Sequence, residues 1–199
     1  MRYQLAKTEI SNPTIHSPEW EKAALGEVSV NRWAGYAVPP KTVFKMLRTP
    51  DGIAVWLHTD ETHLRAEVAE ENGEICTDSC MEFFLKPDNH DCRYLNFELN
   101  PKGVLHLGIG TGRGDRTQFD TDRAIFAIES LANEGDWTLK FIVPDSFLLE
   151  SFEKISPVCK ANVYKCGDFT DHEHYAMWNE VETVEPDFHV PDFFGTLIL

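Results

Sequence analysis

Aromatic, amide, cationic and imidazole side chains are concentrated in three short segments near the C-terminus. The segments are NVYKCGD at 162–168, HYAMW at 174–178 and DFHVP at 187–191. Flat rings beside hydrogen-bond donors and acceptors suit a ligand that has apolar ring faces and a rim of hydroxyl groups, which describes a sugar. The alternative is that Trp178 and Tyr175 are buried packing residues and that the polar groups cap turns.

A sugar site requires a ring for stacking, acceptors for hydroxyl groups, and cationic or amide donors. Trp178 is the best candidate for the ring because indole offers the largest π-face to the C–H edges of a pyranose. The other candidates supply carboxylate, amide, hydroxyl, cationic or imidazole groups, and they are Glu82, Asn96, Tyr94, Arg113, Lys165 and His174.

The three C-terminal segments resemble the closing motifs of bacterial proteins related to the family 9 carbohydrate-binding modules. A second matching block lies upstream, with DSCMEFF at 78–84, YLNFELN at 94–100 and then Gly103; Trp20, Pro40 and Thr42 match near the start. The resemblance implies one β-sandwich domain over residues 1–199 that binds a mono- or oligosaccharide without catalysis. It also implies association with a glycoside hydrolase as one possible setting.

In the family that the chain resembles, binding relies on tryptophans with acidic, amide and basic side chains nearby. The positions that match here are Glu82 and Trp178. A second tryptophan completes the sandwich of rings in the best-known members, but this chain has Ile75 and Cys76 around that place. The second ring is therefore missing, or it comes from elsewhere, such as Trp33 or Trp56.

Short β-like runs separated by turn residues follow one another from residue 42 onward. They predict strands at 42–48, 53–60, 63–69, 80–86, 93–100, 104–110, 124–131, 136–143, 159–166 and 194–199. A helical turn is predicted at 18–23 with Ser17 as its N-cap, and a short helix at 145–152. Many short strands with little helical periodicity predict an all-β, antiparallel sandwich of two sheets, jelly-roll-like or immunoglobulin-like, with one or two short helices.

The most informative predicted pair is the hairpin of strands 80–86 and 93–100. Its apolar residues alternate with polar ones and share one face: Met81, Phe83, Leu85, Leu95, Phe97 and Leu99. A slip of one residue would mix the faces, so the pattern fixes the parity of the register. The simplest register sets Phe84 opposite Tyr94, Glu82 opposite Asn96, and Glu98 opposite Cys80. The other face then carries the polar groups and is either a binding face or a solvated outer face.

Other chemistries are weaker interpretations of the same residues. Glu82 and Glu98 could serve a small glycoside-processing hydrolase as paired carboxylates. The spacing of Cys166, His172 and His174 matches no usual zinc site. No cofactor is required, although the acidic segment 120–122 permits a structural calcium, which the resembling modules carry. The glycine-rich segment 108–116 lacks the ending of a phosphate loop, and we expect it to form a loop beside the site.

Composition limits the partners. The net charge of −15 argues against binding to nucleic acid and to anionic membranes, both of which would repel the chain. Five cysteines and no apolar leader-like segment at the N-terminus favour free thiols. We therefore expect a cytoplasmic protein, or an extracellular one if a leader has been removed.

Overall fold

Two β-sheets stack face to face in the computed structural model, which describes residues 1–199. The strands are β1 (Arg2–Gln4), β2 (Ala6–Lys7), β3 (Gly26–Val28), β4 (Thr42–Arg48), β5 (Gly52–Thr59), β6 (Cys80–Lys86), β7 (Tyr94–Leu99), β8 (Leu105–Gly110), β9 (Thr117–Gln118), β10 (Glu129–Ala132), β11 (Trp137–Pro144), β12 (Val158–Cys166), β13 (Tyr175–Met177) and β14 (Gly195–Ile198). The helix α1 covers Asp145–Ser151, and 3₁₀ turns cover Pro18–Lys22, Ile75–Thr77, Arg123–Phe126 and Pro191–Phe193.

Both sheets are built mainly from antiparallel pairs. The first runs in the order β1-β14-β12-β6-β7-β8-β9, with β13 also paired to β12, and the second runs β10-β11-β5-β4-β2, with β3 also paired to β4. Only the edge pairs β1–β14 and β2–β4 are parallel. The predicted all-β sandwich with short helices is confirmed. No helix has the length and apolar character needed to cross a membrane.

The first sheet buries both of its faces. Alternate residues of β6 and β7, such as Phe83 and Phe97, face the second sheet and pack against its residues, such as Phe141. The intervening residues on the opposite face belong to a second apolar cluster, which contains Phe84 and Tyr94. Residues of the C-terminal segment, from Val181 to Phe194, cover this outer face. Every residue from Cys80 to Leu85 is therefore buried.

Most predicted strands are confirmed to within one residue at each end, as is the helix α1. The strand predicted at 63–69 is wrong. Its backbone N–H groups donate to side chains instead of to a neighbouring strand: Glu67 and Val68 bind the two oxygens of Asp78, each at 2.9 Å, and Arg65 binds Ser79 Oγ. The buried Asp78 carboxylate therefore takes the place of a partner strand.

Two smaller predictions also fail. The segment 124–131 is divided between a 3₁₀ turn and β10, because Ala127 adopts a left-handed conformation with φ of 44° and ends the turn. Asp122 caps that turn by accepting a hydrogen bond from the Ala124 N–H. The helical turn after Ser17 is confirmed, but the Ser17 hydroxyl accepts a hydrogen bond from the Thr14 N–H and does not cap the turn.

The predicted parity of the β6–β7 hairpin is confirmed, but its register is shifted by two residues. Phe84 lies opposite Asn96, and Glu82 lies opposite Glu98. The cause is Arg93, which was predicted to begin the second strand. Its backbone N–H and its guanidinium both bind Asp91, and the guanidinium also donates to the Ser151 carbonyl. Arg93 thereby becomes part of the connecting loop, and the two glutamates become direct neighbours.

Trp178 lies in the core between the sheets, so the prediction that it forms an exposed platform is wrong. Its side chain is only 5% exposed and packs edge-on against Phe44 and Tyr3, with ring centroids 5.6 and 6.4 Å away. The ring also fills the space above Gly195, where an added Cβ atom would lie 2.6 Å from an indole carbon. The polar residues around Trp178 in the sequence gave no signal of this burial.

Replacing Trp178 by alanine should therefore lower the free energy of unfolding by about 3–5 kcal/mol, since it leaves a large cavity in a packed core. Urea denaturation measures the change. The matched control is Phe169→Ala, because Phe169 is an aromatic residue that is 68% exposed. A Trp178→Ala variant that loses no more stability than this control would contradict the assignment of Trp178 to the core.

Candidate functional site

A cavity of about 150 Å³ opens on the outer face of the first sheet, beneath the C-terminal segment. Strands β6, β7 and β12 form its floor, and the loop after β8 contributes two arginines to its wall. The residues that line it are Cys76, Glu82, Glu98, Arg113, Arg116, Cys166, Asp168, Tyr175, Pro186, Phe188 and His189. Of the residues predicted from sequence, Glu82 and Arg113 line this cavity.

Glu82 and Glu98 lie directly opposite each other on β6 and β7. Opposed residues of an antiparallel pair have Cβ atoms about 4.5–5.5 Å apart, so the two carboxyl groups share one small region of the sheet face. Both side chains are almost fully buried. Burial, with a further contribution from the charge of Glu98, raises the pKa of Glu82 well above its ordinary value.

The surroundings of the two carboxyl groups leave one oxygen of each available. Glu82 accepts the Cys166 thiol at 3.0 Å through Oε1. Glu98 accepts the Asn96 amide at 2.8 Å and the Arg116 guanidinium at 3.4 Å, also through Oε1. The hydrogen bonds that the protein makes to this pair thus go to Oε1. Oε2 of Glu98 can accept a hydrogen bond from a ligand, whereas Oε2 of Glu82 donates one while Glu82 is protonated.

Arg116 also has unused hydrogen-bonding capacity. Its Nε atom is buried without a partner in the protein, although its side chain lines the cavity. A buried donor without a partner costs free energy, and a small rotation of the Arg116 side chain toward a ligand oxygen in the cavity would relieve that cost. Arg113 stands farther out, 58% exposed at its side chain, and its Nε donates to Asp187 at 3.1 Å.

His189 and two aromatic rings form the opposite wall. The Tyr94 hydroxyl and His189 Nδ1 lie 2.8 Å apart, and burial lowers the pKa of His189 to about 2, so the imidazole is neutral. Phe188 stacks on Tyr164 with ring centroids 4.1 Å apart and an interplanar angle of 13°. Tyr175 packs edge-on against Phe188 at 6.1 Å and is only partly buried. These rings supply apolar surface beside the carboxylates.

The other predicted site residues lie beneath the cavity or away from it. Asn96 and Tyr94 are fully buried and position Glu98 and His189. Trp33 is 5% exposed, donates its indole N–H to the Thr183 carbonyl and backs Phe188 from behind. Trp56 lies on the second sheet, beneath Lys45. Neither tryptophan lines the cavity, so neither supplies a second ring there.

Lys165 and His174 form a buried ion-pair network and do not line the cavity. The Lys165 ammonium lies 3.1 Å from Glu61 Oε2 and 2.9 Å from His174 Nε2. Burial and the charge of Lys165 lower the pKa of His174 to about 4, so the neutral ring donates from Nδ1 to the His172 carbonyl and accepts from Lys165 through Nε2. The two residues hold the loop before β13 against β12.

The cavity residues that were not predicted from the sequence include Tyr175, His189, Arg116 and Asp168. Tyr175 and His189 lie inside the motifs that were singled out, and Arg116 lies in the loop that was expected beside the site. The alternation of side chains along β13 was an available signal. In a strand, Tyr175 and Trp178 are three residues apart and therefore point to opposite faces of the sheet.

Residues 14–199 match the model of carbohydrate-binding family 9. A crystal structure of a candidate carbohydrate-binding protein from Bacteroides uniformis ATCC 8492 is similar to this chain, with a TM-score of 0.88 and 26% identity over 99% of this chain and 98% of that one.

Two structures of a family 9 carbohydrate-binding module from Caldicellulosiruptor kristjanssonii share the fold at 10% identity. The complex with glucose has a TM-score of 0.69 and is matched over 100% of this chain and 95% of that one. The complex with cellotriose has a TM-score of 0.68, over 100% and 93%. No curated protein matches the sequence significantly.

The raised pKa of Glu82 predicts a pH dependence of stability. The folded chain retains a proton that the unfolded chain loses above about pH 4.3. The stability contributed by this group is therefore complete below that pH and is lost as the pH rises through the folded pKa. We expect Glu82→Gln, which keeps the shape and removes the titration, to gain stability relative to the parent as the pH rises from about 5 to about 8.

Urea denaturation across this pH range measures the difference between the two proteins. Glu134→Gln is the matched control, because Glu134 is exposed and its variant should follow the parent at every pH. A constant difference between Glu82→Gln and the parent across the range would contradict the raised pKa.

Proposed function

Because the chain belongs to carbohydrate-binding family 9, we propose that the cavity around Glu82, Glu98 and Arg116 binds one ring of a mono- or oligosaccharide and leaves it chemically unchanged. The observation that carries this proposal is the set of unused hydrogen-bonding groups on the cavity floor. Both glutamates direct Oε1 to the protein, and Arg116 Nε has no protein partner. An acceptor on Glu98 and donors on protonated Glu82 and on Arg116, close together, fit vicinal hydroxyl groups, which both donate and accept.

The size of the cavity sets the length of sugar that can be enclosed. Sites for drug-sized ligands measure about 300–1,000 Å³. The cavity here, at about 150 Å³, accommodates a single ring at most. The remaining rings of an oligosaccharide would extend past Arg113 and Tyr175 at the cavity mouth, where both side chains are accessible.

The aromatic contact differs from the one expected from sequence. Trp178 is buried, so Tyr175 and Phe188 are the rings that can meet the apolar face of a sugar. Phe188 is fixed by stacking on Tyr164, and Tyr175 is held by a hydrogen bond from its hydroxyl to Glu173 at 2.9 Å. Rings that are held in place before binding lose little conformational entropy when a ligand arrives.

Substitution at the cavity floor should weaken sugar binding. A hydrogen bond to a charged group is worth about 1.5–3 kcal/mol, so Glu98→Gln and Arg116→Gln should each raise Kd by about 10- to 100-fold. Isothermal titration calorimetry with a panel of neutral mono- and oligosaccharides, run with calcium and with a chelator, measures the change. The panel includes glucose and cellotriose.

Glu134→Gln and Arg32→Ala serve as controls, because both residues are on the surface away from the cavity. Their variants should bind at parental affinity. The proposal fails if no sugar in the panel binds the parent protein, or if the cavity variants bind as tightly as the controls.

The alternative function, a glycoside hydrolase that uses Glu82 and Glu98 as its two carboxyl groups, predicts a different result. Glycosidases place their carboxyl groups on either side of the scissile bond, whereas Glu82 and Glu98 stand side by side on one sheet face. We therefore expect no hydrolysis of aryl glycosides by the parent protein in a discontinuous assay that follows phenol release. Turnover that disappears in both Glu82→Gln and Glu98→Gln would show that the protein is an enzyme.

A further inference from the structure

Two thiols and a carboxyl group converge on the floor of the cavity. The Sγ atoms of Cys80 and Cys166 and an oxygen of Glu82 all lie within 4.8 Å of one another. Cys166 Sγ is 3.0 Å from Glu82 Oε1, and Cys80 Sγ is 3.9 Å from the same oxygen. Sugar binding accounts for Glu82 but gives no role to the two thiols.

Strand geometry fixes this cluster. Cys80 and Glu82 are two residues apart on β6 and therefore point to the same face of the sheet. Cys166 is the direct partner of Cys80 across the β12–β6 pair. Both strands lie in the interior of the first sheet, so the three side chains are held on a rigid backbone.

Chemically, the cluster is a donor set for a thiophilic metal ion. Two thiolates and one carboxylate match the ligands that zinc takes, with Zn–S distances of about 2.3 Å and Zn–O distances of about 2.0–2.2 Å. Around a tetrahedral ion these bond lengths require ligand atoms less than about 4 Å apart, which small side-chain rotations achieve here. Calcium and magnesium prefer oxygen ligands and do not suit the two sulfurs.

An ion can reach the cluster through the cavity, because Glu82 and Cys166 both line it. The same opening would give a bound ion access to water or to a ligand as a fourth partner. Three protein ligands, with water or a ligand in the fourth position, is one of the arrangements in which proteins bind zinc.

The two thiols and the carboxyl group bind a metal ion in their deprotonated forms. A divalent ion offsets the cost of two thiolates and a carboxylate in this buried position. Its binding displaces the thiol protons.

We propose that Cys80, Glu82 and Cys166 form a binding site for one zinc ion or a similar thiophilic divalent cation, with the fourth position open to the cavity. The site shares Glu82 with the proposed sugar site, whereas Cys80 and Cys166 have no part in sugar binding. A metal ion there would replace the thiol–carboxylate hydrogen bond on the cavity floor.

Cobalt(II) is the probe, because its thiolate complexes absorb in the near ultraviolet and its tetrahedral complexes absorb in the visible. We expect the reduced parent protein to bind one equivalent of Co²⁺ with both absorptions, and Zn²⁺ to displace it. Cys80→Ser and Cys166→Ser should each weaken Co²⁺ binding by more than about tenfold, since even outer-shell substitutions cost 10- to 100-fold.

Cys92→Ser and Cys159→Ser are the matched controls. Cys92 is exposed, and Cys159 lies in the main core, where its thiol contacts the Ser156 carbonyl. Both variants should retain the parental cobalt spectrum. X-ray absorption at the zinc edge of the parent protein tests the site without any substitution, and it should show two sulfur neighbours at about 2.3 Å.

The proposal is overturned if the reduced parent shows no thiolate absorption with Co²⁺, if the controls lose it as well, or if the bound zinc has only oxygen and nitrogen neighbours. None of these readouts depends on sugar, so failure of the metal site would leave the proposed carbohydrate binding untouched. Loss of sugar binding in calorimetry would likewise leave the cobalt result standing.

Discussion

The neighbouring carboxyl groups of Glu82 and Glu98 are the constraint on which the rest of the site depends. Two buried carboxylates on adjacent strands repel each other, and each loses hydration. The protein offsets this cost through the raised pKa of Glu82, the guanidinium of Arg116 and the amide of Asn96. One oxygen of each carboxyl group forms no hydrogen bond within the protein. The pair can therefore form hydrogen bonds with the hydroxyl groups of a ligand.

This constraint also explains why the first sheet is covered on both faces. If the outer face were exposed to water, the local dielectric constant would rise, and the hydrogen bonds of the two glutamates and Arg116 would become weaker. The C-terminal segment covers that face instead: Phe188 stacks on Tyr164, and His189 bonds with Tyr94. The C-terminal segment does not extend over the two glutamates, and the opening that remains is the cavity. The core on the inner face, including Trp178, supports the strands from below.

Sequence patterning predicted the sandwich, most of its strands and the face on which Glu82 lies, because alternation and turn residues act locally. It did not predict the features that depend on contacts between residues far apart in the sequence. The register shift came from Arg93, whose guanidinium reaches Ser151, and the false strand at 63–69 came from the Asp78 carboxylate. Trp178 and Lys165 were assigned to the site from their chemistry, but burial depends on what packs over a residue, and local sequence does not reveal that.

The most direct test of carbohydrate binding in this cavity is a crystal structure of the chain with the sugar that binds it most tightly. The account predicts density for one ring between the glutamates and the side chains of Tyr175 and Phe188, with its hydroxyl groups on Oε2 of Glu82 and Glu98 and on Nε of Arg116. Density for the sugar elsewhere, such as on the outer surface at Trp56 or beside the His174 network, with the cavity holding only solvent, would contradict it.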